Sequence, residues 1–212
     1  MMIRTLFAGL LAVLSCQAAD FIEAFGLRWR VPVASDWKVE TVGGVPVLSL
    51  LVPKPSLQPR RPSQFAVAQT PDYIRVTLEA EMKQEPRAVR NRGTSLMVAY
   101  AWRDENHFLY AHLSVDSPEK VAVHNGIFKV DGGDRVRISP EKGPASLTHE
   151  DWHPVKLVYD GHTGKVEVWV DGQTSPALTA VDKSFGAGKV GIGSFFDMGQ
   201  FRNVKITGEP AR

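Results

Sequence analysis

The chain has 212 residues, with 25 lysines and arginines against 23 aspartates and glutamates, and a single cysteine. This near balance of charge gives no reason to expect a nucleic-acid partner or an anionic membrane surface. One cysteine excludes an internal disulfide and a zinc site built from several thiolates, and a chain of this length can bury a stable core without them.

Residues 1–19 predict a secretory signal peptide. Arg4 supplies the positive start, residues 6–14 form an apolar run, and Ala18 and Ala19 are small residues suited to a cleavage site. A membrane-spanning helix needs about 20 apolar residues, and this run has roughly half that number. We therefore expect residues 20–212 to form one exported domain, either periplasmic or extracellular.

Cys16 leaves two interpretations open. The sequence VLSC at residues 13–16 is an imperfect lipoprotein box, in which the cysteine would carry a lipid and anchor the domain to a membrane. Cleavage after Ala18 would instead remove the cysteine together with the signal peptide. A lipid on Cys16 is the only membrane attachment that we expect.

From residue 27 onward, short segments alternate apolar and polar residues, which is the period-2 pattern of half-buried strands. Residues 94–102 are apolar on both faces, as is typical of a central strand. The proline-rich segment (residues 53–62) lacks backbone donors, so we expect an extended surface connection there. The predicted strands are residues 27–31, 37–42, 45–52, 73–82, 94–102, 107–115, 121–124, 127–130, 135–139, 189–195 and 200–207.

Residues 152–173 predict a β-hairpin. Val155, Leu157 and Tyr159 alternate with polar residues before a loop at 160–164, and three valines alternate in the same way after it. Asp171-Gly172 supplies the next turn. Because many short strands follow one another and no long amphipathic helix is evident in the sequence, the pattern predicts an all-β, antiparallel sandwich or barrel.

Several of these segments resemble a known family. Residues 152–172, PALT at 176–179, GKVGIGSF at 188–195 and FRNVKI at 201–206 resemble the C-terminal half of concanavalin A-like jelly rolls. RPSQF at 61–65, YAHLS at 110–114 and HNGI at 124–127 are similar to bacterial exported domains of the laminin-G-like and 3-keto-disaccharide hydrolase-like kinds. The resemblance covers residues 37–207. It implies a jelly-roll β-sandwich that handles carbohydrate on the concave face of one sheet, and it supplies no catalytic residue.

Phe108, Tyr110 and His112 alternate along one predicted strand and therefore share a face. Sugars are bound by aromatic rings beneath their C–H faces and by planar side chains that hydrogen-bond to hydroxyl pairs. Two alternatives remain: the rings pack beneath a loop, or His112 and His124 act as a general acid and base. We predict a ligand-binding set that consists of Arg103, Tyr110, His112, His124 and Asn125.

Residues 149–153 read His-Glu-Asp-Trp-His, which is the H-E-x-x-H pattern of zinc proteases. In those enzymes a helix places both histidines on one face. Pro154 and the strand pattern after it exclude a helix that continues past His153. We therefore predict no metal site at this motif.

Glu79 and Glu81 alternate on one predicted strand, with Glu85 beyond them. Paired carboxylates cleave glycosidic bonds in enzymes of this broad fold. The glucanase pattern Glu-x-Asp-x-x-Glu differs from EAEMKQE in residue types and spacing, so no catalytic residue is assigned. Calcium would need converging oxygen ligands, and aspartates are available, but no loop motif connects them. No cofactor is assigned, and calcium stays an open alternative. Those aspartates are Asp131, Asp134, Asp160 and Asp197.

The sequence therefore predicts an exported, lectin-like jelly-roll domain that binds a carbohydrate ligand. A glycoside hydrolase or a sugar-cleaving lyase of the same fold is the first alternative. A structural or adhesive module without a sugar site is the second.

The signal-peptide interpretation predicts the start of the exported protein. When the full chain is produced in a bacterium, mass measurement of the protein outside the cytoplasm should place the new N-terminus after Ala18, because a signal peptidase cuts after small residues. An N-terminal Cys16 that carries acyl chains would select the lipoprotein alternative. Retention of residues 1–19 would contradict both.

Overall fold

The computed structural model of the protein describes residues 20–55, 57–85, 95–115, 123–140 and 143–212. The predicted signal peptide lies outside these ranges, as does part of the strand predicted at 121–124. Across the described ranges, no helix is long and apolar enough to cross a membrane.

The described chain forms two antiparallel sheets, whose strands are numbered in chain order. The eight-stranded sheet contains, from edge to edge, β1 (Asp20–Ala24), β2 (Leu27–Val31), β5 (Gln64–Ala68), β14 (Lys189–Ser194), β7 (Ser95–Asp104), β8 (His107–Ser114), β9 (Gly126–Asp131) and β10 (Val136–Arg137). The seven-stranded sheet contains β13 (Leu178–Val181), β12 (Lys165–Val170), β11 (His153–Asp160), β6 (Tyr73–Gln84), β15 (Gly199–Pro210), β4 (Val45–Leu50) and β3 (Trp37–Val42). A 3₁₀ helix at Ala34–Asp36 precedes β3. The predicted all-β, antiparallel sandwich is confirmed.

The hairpin predicted at residues 152–173 is also confirmed. β11 and β12 pair from Val155 opposite Val170 to Asp160 opposite Lys165. β11 pairs on its other side with β6 along its whole length. The hairpin is therefore an integral part of the seven-stranded sheet.

Three strands, β1, β5 and β13, were not predicted. All five residues of β5 are buried, so its sequence QFAVA shows no polar alternation. The strand predicted at 135–139 is reduced to the two residues of β10, because the N–H groups of Ile138 and Ser139 both approach the carbonyl of Ile127 instead of extending the ladder. Residues 123–125 form a turn before β9 and not a strand.

The core lies between the two sheets. Leu109, Ala111 and Leu113 of β8 belong to the same buried cluster as Leu78 and Leu157 of the opposite sheet. Each fully buried leucine contributes about 1.5–3 kcal/mol relative to an exposed one, so this layer provides most of the driving force for folding. It also fixes which face of β8 points inward.

The outer face of the eight-stranded sheet, which points away from the core, is buried as well. Because side chains alternate along a strand, Phe108, Tyr110 and His112 lie on this face. Its apolar cluster consists of Phe65, Val67, Met97, Ala99, Trp102, Phe108, Tyr110, Phe128 and Val130.

The proline-rich segment contacts this outer face. The Arg60 N–H donates to Asp134 Oδ1 at 2.6 Å, and the Arg60 carbonyl accepts from the Arg135 N–H at 2.9 Å. Arg61 Nε donates to the Glu105 carbonyl at 3.0 Å. The described residues of the segment form no strand, as the prolines predicted.

Gly193 on β14 makes room for the outer apolar cluster. Its neighbour Ile192 faces the core, so Gly193 faces outward. A Cβ atom at this position would lie 2.2 Å from the Gln64 carbonyl oxygen and 2.4 Å from the Phe65 Cα. Real atoms do not approach so closely, which means that a larger residue would force β5 and β14 apart.

We expect Gly193→Ala to lower the free energy of unfolding by about 1–3 kcal/mol, the usual range for overpacking a dense interior. Gly133→Ala is the matched control, because no atom lies within 4 Å of the added Cβ. Urea unfolding of both variants beside the wild type measures the difference. Equal stability of the two variants would show that β14 accommodates a methyl group without cost.

Candidate functional site

One end of the outer face carries polar side chains from β8 and from the turn before β9. His112 lies opposite Gly126, and Tyr110 lies opposite Phe128 on β9. The ring centroids of His112 and His124 are 5.0 Å apart. The structure thus brings together four of the five predicted residues, which are Tyr110, His112, His124 and Asn125.

The rings of this group are covered by other rings. Tyr110 is 0% exposed and His112 is 2% exposed. Tyr110 stacks on Phe128 with centroids 5.4 Å apart, and His112 stacks on Phe195 with centroids 6.0 Å apart. The faces of Tyr110 and His112 are therefore not open platforms for a sugar.

The guanidinium of Arg135 holds the group together. Its Nη1 donates to the Tyr110 hydroxyl and to His112 Nδ1, each at 2.9 Å, and its Nη2 donates to the Val123 carbonyl at 2.7 Å. It also lies over the ring of Phe128, 4.4 Å from the centroid. A cation placed over an aromatic ring in this way is stabilised by the ring's negative face.

His112 has a defined tautomer. Arginine can only donate, so Nδ1 must accept from Arg135 and the proton lies on Nε2. Burial first, and then the positive charge of Arg135, lower the pKa of His112 well below its ordinary value. Nε2 is buried and has no hydrogen-bond partner in the described part of the chain. The neutral ring thus presents a buried donor without an acceptor.

His124 and Asn125 are attached to the end of β8 through Ser114. His124 Nδ1 lies 3.2 Å from Ser114 Oγ, and Asn125 Oδ1 accepts from the Ser114 N–H at 2.9 Å. Burial, followed by the charge of Arg135, lowers the pKa of His124 to about 4. Both histidines of the group are therefore neutral at ordinary pH.

Arg103, the fifth predicted residue, lies apart from the others. It follows a bulge in β7, near the turn to β8. Its guanidinium donates to the Phe185 carbonyl and lies 5.5 Å from the centroid of the Phe185 ring. The structure therefore places it at the other end of the strand pair.

Sequence reasoning missed the arginines of this site. Arg137 donates to the carbonyls of His124 and Asn125, and Arg60 lies 5.9 Å from the Phe195 ring centroid. The alternation of Arg135 and Arg137 puts both on one side of a short strand, and this was the signal available in the sequence. We define the polar cluster as Arg60, Tyr110, His112, His124, Asn125, Arg135 and Arg137.

A cleft of about 300 Å³ opens on the same outer face. Phe65 and Trp102 line it together with Arg30, Arg61 and Glu105. Arg30 forms an ion pair with Glu105 and lies 5.5 Å from the Trp102 ring centroid. The indole Nε1 of Trp102 is buried without a hydrogen-bond partner among the described residues.

A row of aromatic rings connects this cleft with the polar cluster. The ring centroids of Phe65 and Phe108 are 5.1 Å apart, and those of Phe108 and Tyr110 are 5.9 Å apart. The proline-rich segment joins the same two regions, since Arg61 lines the cleft and Arg60 bonds to the backbone of Arg135. The cleft and the cluster are therefore parts of one surface.

The carboxylate pair Glu79 and Glu81 lies on the outer face of the other sheet, in a groove of about 500 Å³ that Trp169 also lines. Arg202 Nε and Asn203 Nδ2 donate to Glu81 at 2.6 and 2.8 Å. Burial opposes the charged form, but these hydrogen bonds and the charge of Arg202 hold the pKa of Glu81 below its ordinary value. A catalytic acid needs a raised pKa, so Glu81 is not poised to protonate a leaving group.

The H-E-x-x-H residues come together without a helix. His153 begins β11, with Nδ1 2.9 Å from the Asp171 carboxylate and Nε2 3.0 Å from the His149 carbonyl. The rings of His149 and His153 stack 3.9 Å apart. With Asp171 they form the one group of potential metal ligands found in the described ranges, with ligand atoms within 4.8 Å of one another. Both nitrogens of His153 already face acceptors, so the ring fastens the start of β11 to the turn after β12.

The four aspartates considered for calcium have different partners. Asp131 lies 3.8 Å from His107 Nε2, and Asp134 accepts from the Arg60 N–H. Asp160 pairs with Arg75, and Asp197 accepts from Ser95. The structure does not bring these carboxylates together into one group of ligands.

No family model matches the chain, and no curated protein matches it. Among solved structures, it is similar to the carbohydrate-binding module CBM66 from Bacillus subtilis, with a TM-score of 0.54 and 12% identity over 81% of this chain and 94% of that one. It is also similar to a mutant of the GH43 protein BlXynB from Bacillus licheniformis, with a TM-score of 0.58 and 15% identity over 89% of this chain and 38% of that one. The fold is a concanavalin A-like sandwich. At these identities the likeness concerns the fold alone.

The concanavalin A-like sandwich should lose stability on mild acidification because of its two buried histidines. Both have pKa values below the unfolded value of about 6.5, so the unfolded chain binds more protons between about pH 4 and 6.5. The free energy of unfolding should therefore decrease as the pH is lowered through this window, by up to about 1.4 kcal/mol per pH unit for each histidine. Urea unfolding at several pH values measures the slope, which His124→Gln should reduce. A variant of the exposed turn residue, His162→Gln, is the control, and an equal slope in both variants would contradict the prediction.

Proposed function

We propose that the protein is an exported carbohydrate-binding domain and that the saccharide lies on the outer face of the eight-stranded sheet. One observation carries this proposal: Trp102, which lines an open cleft, has a buried indole N–H without an acceptor among the described residues. His112 Nε2, on the same outer face, is a second such donor. A buried donor without an acceptor costs about 1–3 kcal/mol, and the hydroxyl and ring oxygens of a sugar would supply acceptors.

The composition of the cleft supports a sugar over a purely apolar ligand. Phe65 and Trp102 provide apolar surface, whereas Arg30, Arg61 and Glu105 provide planar polar groups at the same place. Saccharides need both, because their C–H faces are apolar and their edges are rich in hydroxyls. A volume of about 300 Å³ is at the lower end for small-molecule sites, which suits a short saccharide segment. The carbohydrate-binding module CBM66, which shares the fold, is consistent with this assignment.

A sugar-cleaving enzyme of the same fold is the alternative. Neutral His112 beside Tyr110 is a pair of groups that could transfer a proton, which favours a lyase over a hydrolase. Within the described residues, the charges that shift the pKa values of Tyr110, His112 and His124 come from arginines and a histidine, not from carboxylates. A glycoside hydrolase would need a pair of carboxyl groups at this place.

Glycan-array screening of the purified protein, followed by calorimetric titration of the hits, tests the proposal. We expect binding without release of shorter products, which chromatography of the incubated saccharides would detect. Cleavage of a saccharide would show that the protein is an enzyme and not only a binding module. No binding to any saccharide would favour a structural or adhesive module.

A pair of tryptophan variants locates the bound saccharide. Trp102→Phe keeps an aromatic ring but removes the unbonded N–H, and we expect about tenfold weaker binding because one hydrogen bond to the ligand is lost. Trp169→Phe makes the same change in the groove of the seven-stranded sheet and should leave affinity unchanged. The reverse result would place the saccharide on the seven-stranded sheet.

A further inference from the structure

The polar cluster has more hydrogen-bond donors than acceptors. Arg135 has five N–H groups, of which three donate to Tyr110, His112 and Val123. The Tyr110 hydroxyl accepts one of these bonds, and its own proton has no acceptor among the described residues. His112 Nε2–H has none either. Two N–H groups of Arg135 thus have no acceptor within the described ranges, and the buried Tyr110 O–H and His112 N–H have none there either.

Two arginines of the cluster have no ion pair with a described carboxylate. Neither Arg135 nor Arg60 lies within ion-pair distance of one, although Arg30, Arg75 and Arg202 all form such pairs. Asp134 contacts Arg60 only through the backbone, since its Oδ1 accepts from the Arg60 N–H. A partly buried guanidinium normally has an anionic partner, because desolvating an unpaired charge is costly.

Unused donors and unpaired positive charge at one place are complementary to an oxyanion. Guanidinium groups bind carboxylate and sulfate oxygens through short, charge-assisted hydrogen bonds. Burial raises the pKa of Tyr110 to about 12 despite the opposing charge of Arg135, so its hydroxyl keeps its proton and adds no negative charge beside the guanidinium. A neutral sugar offers hydroxyls, which would leave the charge of Arg135 and Arg60 without a partner.

We propose that the polar cluster selects an acidic saccharide, whose carboxylate or sulfate group binds to the guanidinium groups of Arg135 and Arg60. This inference rests on the proposed function and specifies its ligand class. The adjoining cleft then holds the neighbouring sugar unit of the same chain, since Arg60 and Arg61 connect the two regions.

Calorimetric titration with three oligosaccharides of equal length tests the inference: a uronate oligomer, a sulfated galactan oligomer and a neutral galactan oligomer. We expect at least one acidic oligomer to bind roughly tenfold or more tightly than the neutral one, as charge-assisted bonds do. Raising the salt concentration from about 50 to about 300 mM should weaken binding of the acidic oligomer but not of the neutral oligomer. The preferred acidic oligomer shows whether the oxyanion is a carboxylate or a sulfate.

Two variants link the selectivity to the cluster. Arg60→Gln removes an exposed charge whose side chain makes no ion pair among the described residues. Tyr110→Phe keeps the ring stacked on Phe128 but removes the hydroxyl that accepts from Arg135 and positions its guanidinium. Each should weaken acidic binding by roughly three- to tenfold and reduce the preference over the neutral oligomer. Arg28→Gln, at the β1–β2 edge of the same sheet, is the matched control and should change neither affinity.

The outcomes separate this inference from the proposed function. Equal or tighter binding of the neutral oligomer, or acidic binding that is unaffected in both variants, would overturn the acidic class while the carbohydrate-binding function stands. Failure of all three oligomers and of the glycan array would overturn both.

Discussion

The arrangement of the outer face depends on the guanidinium of Arg135. It bonds to Tyr110 and His112 on β8 and to the Val123 carbonyl in the turn before β9. Its backbone N–H bonds to Arg60 in the proline-rich segment. Three parts of the chain that are distant in sequence are thereby fixed relative to one another. Because a guanidinium donates in a rigid plane and keeps its charge, it also determines which nitrogen of His112 carries the proton.

The outer faces of the two sheets differ in the partners of their charged side chains. On the seven-stranded sheet, charges are neutralised in pairs, as between Arg202 and Glu81 or Arg75 and Asp160. Such surface pairs add little stability. On the eight-stranded sheet, Arg30 pairs with Glu105, but Arg135 lies over aromatic rings and has no described carboxylate beside it. The proposed oxyanion would supply the partner that Arg135 lacks.

Local alternation made most of the fold predictable from the sequence. The hairpin β11–β12 and the shared face of Tyr110 and His112 both follow from period 2. Alternation indicates which residues share a face of a strand, but it does not indicate whether other residues bury that face. The outer face of β8 is buried by residues that are distant in sequence. The position of Arg103 depends on a bulge between Tyr100 and Asp104, which shifts the register without a sequence signal. β5 was not predicted because a strand that is buried on both faces shows no alternation of apolar and polar residues.

The proline-rich segment borders the proposed binding surface yet contributes no strand to either sheet. Its described backbone and side-chain hydrogen bonds run through Lys54, Arg60 and Arg61, and Leu57 and Pro62 line the cleft. None of its residues belongs to a strand of either sheet. Surface connections of this kind tolerate changes of length and sequence far better than strands do. The sequence of the proline-rich segment can therefore change and alter the rim of the proposed binding surface, while the strand registers of both sheets stay the same.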